Sequence, residues 1–203
     1  KSLSLLDASN LIKIRGELMN NVIEPKTSGM AAIIGKNADF IDSLIKKNNL
    51  NIEIANDNSP LQVVVSGLID DINLSEELIL KEGAKKYIIL NVSAAFHSKL
   101  MLEAENKLNE EIDKIKFTKA TIPVISNYNA QINLDNESVK NSLKNQMSNK
   151  VRWTESIKKL EQTNEKEIIE IGPGKILSGL ITRITKKFDI KSINTIGDLN
   201  KFK

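Results

Sequence analysis

Met30-Ala31-Ala32-Ile33-Ile34, Asn51-Ile52-Glu53-Ile54-Ala55-Asn56, Gln62-Val63-Val64-Val65-Ser66-Gly67 and Tyr87-Ile88-Ile89-Leu90-Asn91-Val92 are four short runs with the branched aliphatic content of strands. Between the first two, residues 38–47 place Phe40, Ile41, Leu44 and Ile45 on one helical face, and residues 69–82 form a second helix between the last two. Asn58-Ser59-Pro60 reads as the turn of a hairpin, and Gly83 as the left-handed residue that ends the second helix. The order β-α-β-β-α-β predicts a ferredoxin-like unit over residues 29–93. Its flanks, 1–28 and 94–203, differ in character, so the expectation is an α/β protein with a small subdomain inserted into a larger domain.

Upstream, Ser4-Leu5-Leu6-Asp7 has the capping-box pattern, and Ala8, Leu11, Ile12, Arg15, Leu18 and Met19 follow at helical spacing. Arg15 therefore falls on or beside an apolar face. A guanidinium keeps its charge, so there it needs an internal carboxylate or a ligand anion, or else it snorkels from the helix edge. A turn-rich break follows at residues 25–29.

Downstream, Ser93-Ala94-Ala95-Phe96-His97-Ser98 lies between the last strand and a helix running to about residue 115, and holds the only histidine. Such a junction sits at the mouth of a crevice where open sheets bind ligands. Imidazole there can serve as a general base, or can be a structural residue like many lone histidines. The remaining pattern is a strand over residues 121–127, helices over 138–147 and 154–162 around Val151-Arg152-Trp153, and a strand at 167–171. Trp153 reads as a packing residue. Gly172-Pro173-Gly174-Lys175 leads into a helix over 176–187, and the tail, 193–203, carries one short strand and a basic end. A glycine-rich strand-to-helix turn can cradle phosphate, but this one lacks P-loop and GxGxxG spacing, which favours a tight structural turn.

Composition excludes several function classes. The 29 basic and 26 acidic residues are mixed along the chain, leaving a net charge of +3 and no stripe for nucleic acid. Without cysteine there is no disulfide scaffold or thiol nucleophile, and with one histidine a metal site is not expected. No apolar run reaches membrane-spanning length, so the expected location is cytoplasmic, with no membrane partner.

Arg15-Gly16-Glu17-Leu18-Met19, Asn58-Ser59-Pro60-Leu61-Gln62-Val63-Val64-Val65-Ser66-Gly67, Phe96-His97-Ser98-Lys99-Leu100-Met101, Val151-Arg152-Trp153-Thr154 and Glu170-Ile171-Gly172-Pro173-Gly174-Lys175 occur in the order seen in malonyl-CoA:acyl carrier protein transacylases of type II fatty acid synthesis. The chain resembles that family over nearly its whole length. The resemblance implies a partial α/β-hydrolase-like acyltransferase domain with the ferredoxin-like insert. It also implies transfer of malonyl from malonyl-CoA to the phosphopantetheine thiol of acyl carrier protein through a malonyl-serine ester, without a cofactor. By position it makes His97 the base, Gln146 the residue whose backbone carbonyl orients the imidazole, and Arg15 the clamp on the malonyl carboxylate. Met19, Phe96 and Asn58 join the substrate site. Phe96 resembles the Phe-His pair of malonyl-selective domains, where a ring against the acyl α-carbon leaves little room for a methyl group.

One departure stands out: GxSxG, the context of the family's serine nucleophile, is absent, as is the family's N-terminal glutamine loop. The expectation is a partial chain that does not turn over alone and that exposes apolar sheet edges. Alternatives are a non-catalytic module binding acyl carrier protein or CoA, and a polyketide-type acyltransferase. A related thioester hydrolase is disfavoured, because a carboxylate clamp suits transfer of malonyl. Expected partners are malonyl-CoA and acyl carrier protein, the latter meeting lysines such as Lys99, Lys144, Lys150 and Lys175, and the expected state is a monomer.

Overall fold

A computed structural model describes residues 2–24 and 26–200. Pro25, in the expected break at 25–29, and residues 201–203 of the expected basic end lie outside them. In chain order the elements are α1 (Leu5–Asn21), β1 (Ser28–Ile34), α2 (Ala38–Asn48), β2 (Ile52–Ser59), β3 (Gln62–Leu68), α3 (Ile69–Lys81) and β4 (Lys86–Ile89). A 3-10 turn (Lys99–Met101) leads into α4 (Leu102–Asp113), followed by β5 (Val124–Ile125), β6 (Ile132–Asn133), α5 (Asn136–Lys144) and α6 (Trp153–Leu160). The chain closes with β7 (Glu167–Ile171), α7 (Ile176–Ile184), β8 (Asp189–Ile193) and α8 (Ile196–Leu199).

Strands β1 to β4 form one antiparallel sheet in the order β2-β3-β1-β4, the ferredoxin-like arrangement. Alternation along β1 sends side chains to both faces. Ala31 and Ile33, with Val65, pack against Ile41, Leu44, Ile72 and Ile79 of α2 and α3. Met30 and Ala32 join Ala55 and Val64 on the other face, where Leu90 and Phe96 cover them. A second core unites Leu11 and Met19 of α1 with Ala104, Leu108 and Ile112 of α4, and a third joins Ile157 of α6 and Ile181 of α7 with Phe188, just before β8, and Ile190 within it. Ser4 caps α1 as its sequence predicts, accepting from the Asp7 N–H at 3.0 Å.

Several boundaries differ from expectation. The Ser59–Gln62 pair closes the hairpin, so Pro60 and Leu61 form its loop and Asn58 belongs to β2. Two irregularities in β2 let it run this far while keeping Ala55, Asp57 and Ser59 buried. Strand β4 ends at Ile89, and only Val124 and Ile125 of the expected strand over 121–127 pair, with β6, which is too short to show a period. The last strand is β8, parallel to β7, rather than a strand within 193–203; α7 stops at Ile184 because Thr185 turns extended, letting Phe188 bury against Ile157 and Ile181. Residues 196–199 are instead a helical turn capped by Thr195 and Asp198. Helix α5 stops at Lys144, short of the expected 147, which frees the backbone of residues 145–149 for the site below. Among the described residues no helix is long and apolar enough to cross a membrane.

Candidate active site

His97 lies on the loop between β4 and the Lys99–Met101 turn, and its backbone is left-handed, with φ 58°. For a residue with a Cβ this costs about 1–2 kcal/mol, so the surroundings must impose it. Three buried serines do so. Ser28 Oγ accepts from the Ala95 N–H at 3.1 Å, Ser66 Oγ donates to the Phe96 carbonyl at 2.8 Å, and Ser98 Oγ donates to the Ala95 carbonyl at 2.7 Å. Ser28 and Ser66 project from β1 and β3, so the sheet itself holds the loop. Sequence reasoning passed over these serines, because hydroxyls inside apolar strands carry no motif.

The imidazole Nδ1 lies 3.1 Å from the Gln146 backbone carbonyl. A carbonyl can only accept, so this bond requires the proton on Nδ1 and leaves Nε2 with a free lone pair. Burial pushes the His97 pKa below its ordinary value. The Gln146 carbonyl opposes that shift, the charge of Arg15 adds to it, and the Asn149 backbone opposes it again. The ring is thus a neutral acceptor near pH 7.

Arg15 reaches the same place from α1. It is half-buried, burial lowers its pKa, and no carboxylate lies within ion-pair distance of it among the described residues. Arg15, His97, Asn127 and Gln146 line one cavity of about 440 Å³ whose remaining walls include Leu11 and Leu108. A charged fork and a neutral base thus face one apolar-walled space, suited to a small molecule bearing a carboxylate. His97 also borders a second, more polar cavity of about 580 Å³, lined by Lys46, Glu53, Lys99, Asn149 and Lys150 among others.

The other candidates sit elsewhere. Met19 is buried in the α1–α4 core, the Phe96 ring packs between that core and the sheet, and Asn58 is half-buried on β2. None of the three lines either cavity. After the Gly172-Pro173-Gly174 turn the Glu170 carboxylate already accepts the Leu177 N–H at 3.0 Å and the Ser178 N–H at 2.8 Å, helix donors that a phosphate would otherwise use. Of the four lysines, Lys144 pairs with Asp113 at 2.7 Å and Lys150 lies 3.7 Å from Glu155, while Lys99 and Lys150 edge the polar cavity. Trp153 packs against Ile157 and Ile181, as a packing residue should.

The family model described as acyl transferase domain matches residues 1–202. The chain belongs to the acyl transferase family. This acyl transferase chain is 39% identical over 190 residues to the malonyl CoA-acyl carrier protein transacylase of Bacillus subtilis strain 168, covering 92% of this chain and 60% of the relative. The crystal structure of an acyl carrier protein S-malonyltransferase from Vibrio cholerae O1 superposes with a TM-score of 0.91 at 32% identity, covering 97% of this chain and 65% of the other. A malonyl-transacylase solved in complex with a holo type II PKS acyl-carrier protein superposes with a TM-score of 0.93 at 30% identity, over 98% of this chain and 65% of the other. The chain thus spans 60 to 65% of the length of these relatives. The fold is that of these acyltransferases, with the ferredoxin-like unit inserted.

Proposed function

We propose that these residues supply the base and the carboxylate clamp of a malonyltransferase that moves malonyl from malonyl-CoA to the phosphopantetheine thiol of acyl carrier protein, in fatty acid biosynthesis. The observation that carries the reading is the shared cavity, which Arg15, with no carboxylate partner among the described residues, lines together with a neutral His97. In this reading a serine hydroxyl from outside the 203 residues attacks the thioester carbonyl. Nε2 of His97 takes the hydroxyl proton as the C–O bond forms, then returns it to the departing CoA sulfur as the C–S bond breaks. The carrier-protein thiol reverses the sequence, giving up its proton to Nε2 and regenerating the serine. Arg15 holds the malonyl carboxylate through two parallel N–H donors, a geometry that lysine does not reproduce. Gln146 keeps the base in the working tautomer.

The same reading takes residues 29–93 as the small subdomain and 1–28 with 94–203 as parts of the large one. It places the enzyme in the cytoplasm as a monomer, and needs no cofactor. The polar cavity edged by Lys99 and Lys150 would admit the pantetheine arm.

The reading is tested by calorimetric binding of malonyl-CoA and acetyl-CoA to the chain. Malonyl-CoA is expected to bind more tightly, and Arg15→Ala to weaken its binding about 10- to 100-fold, the worth of a charge-assisted pair, while leaving acetyl-CoA unchanged. Arg15→Lys should recover only part of the difference. Equal affinity for the two thioesters in the unaltered chain overturns the clamp. The relative that pairs with a type II PKS carrier protein favours a second reading, the same transfer in polyketide assembly. Turnover by the longer protein with carrier proteins of each type separates the two, and an absent malonyl adduct in its intact mass would leave only the non-catalytic binding module.

A further inference from the structure

Glu105 is 6% exposed, yet it is a carboxylate on the inward side of α4, and the reaction described above gives it no role. No ion pair of Glu105 occurs among the described residues. Its two oxygens are instead aimed at one residue: Oε2 accepts from the Ser148 N–H at 2.8 Å and Oε1 from the Ser148 Oγ–H at 2.7 Å. A buried carboxyl directed at a single loop residue is a costly way to fill space. What it grips is the segment carrying the partner of His97.

Residues 145–149 form a closed bracket. The Gln146 side-chain amide donates to the Asn149 carbonyl at 3.0 Å, and the Asn149 side chain donates to the Asn145 carbonyl at 2.8 Å and to Ser148 Oγ at 3.1 Å. The Gln146 backbone carbonyl at its centre faces His97 Nδ1. Met147, 1% exposed, anchors one side of the bracket in the α1–α4 core. Glu105 anchors the other. Helix α4 follows directly on the His97 loop through the Lys99–Met101 turn, so the imidazole and its carbonyl partner are both referenced to one rigid element. We infer that Glu105 is a positioning residue, which fixes the Nδ1–H tautomer of His97 by holding the Ser148 end of the bracket in register with α4. The inference rests on the reading of His97 as the proton acceptor and extends it by one shell of residues.

Because the chain has one histidine, its ring nitrogens can be observed without overlap. In the ¹⁵N-labelled chain at about pH 8, above the ordinary imidazole pKa, long-range ¹H–¹⁵N spectra report which ring nitrogen carries the proton. The unaltered chain is expected in the Nδ1–H form. Glu105→Gln, which can still accept from the Ser148 N–H, should keep it, whereas Glu105→Ala should shift the ring to a mixture with the Nε2–H form. If Glu105→Ala does not fold by circular dichroism, Glu105→Asp, which withdraws the carboxyl by one methylene, is expected to give the same mixture. A folded Ala or Asp variant that keeps the pure Nδ1–H form overturns the positioning role and leaves His97 as base untouched. An Nε2–H ring in the unaltered chain overturns both.

Discussion

His97 combines a left-handed backbone, a partly buried ring and a positive neighbour, and each has a consequence that can be measured. Burial and the charge of Arg15 both disfavour the imidazolium, so its folded pKa lies below the ordinary 6.5. The two C–H resonances of the ring should therefore titrate with a midpoint below 6.5, and a midpoint at or above it would contradict the burial seen here. Linkage carries the same sign into stability. Between the lowered folded pKa and 6.5 the unfolded chain binds more protons, so stability should be flat above that window and fall as pH drops through it. In His97→Gln the part of the acid slope belonging to this window should vanish in urea titrations. Arg15 was legible at this scale because a permanent charge at an apolar helical position demands explanation, and Gln146 only through resemblance. Ser28, Ser66, Ser98 and Glu105 were not legible, since each acts through partners 30 to 67 residues away or through a local bend that has no sequence period.

Helix α3 shows how much of an element is written locally. Its inward residues Ile72 and Ile79 repeat at helical spacing, and it ends where Gly83 adopts φ 90°. A Cβ at Gly83 would also lie 3.1 Å from Lys36 Nζ. Gly83→Ala is expected to cost about 1–2 kcal/mol, the penalty of a left-handed residue with a side chain, because the lysine end can move aside. Thermal unfolding measures it, and an unchanged midpoint would mean that the turn relaxes. The two-residue β6 escaped detection and β5 was expected too long, because pairing defines such elements rather than composition. The early stop of α5 escaped for a related reason: residues 145–149 could continue a helix, but burial of Met147 and the grip of Glu105 on Ser148 pull them into a loop.

At the scale of the molecule, the small sheet is joined to the rest along β2. Val151 bridges the strand, donating to the Ala55 carbonyl at 2.8 Å and accepting from the Asp57 N–H at 2.9 Å, and Thr154 Oγ1 donates to Asp57 Oδ1 at 2.7 Å. Burial raises the Asp57 pKa, and the Thr154 hydrogen bond opposes the rise. Thr154→Val leaves that carboxyl without its donor and should cost about 1–3 kcal/mol near neutral pH. The deficit should shrink as pH falls through the raised pKa, because a protonated carboxyl needs the donor less; urea midpoints at two pH values test this. The expected exposure of apolar surface is also visible. Ile171 is 78% exposed on β7, which pairs only with β8 among the described residues. Ile171→Lys should lower light scattering at high concentration without lowering the thermal midpoint.

The order of elements from α1 to β4 with its ferredoxin-like unit, the caps at Ser4 and Gly83 and the oddity of Arg15 followed from the residues alone. All of them are local: period, turn chemistry and the cost of a misplaced charge act within a few neighbours. That Arg15 and His97 share a cavity, that Met19, Phe96 and Asn58 stand outside it, and that a buried glutamate steadies the histidine's partner came from long-range packing. They depend on distances between segments far apart in the chain, 82 positions for Arg15 and His97, for which a one-dimensional pattern holds no ruler.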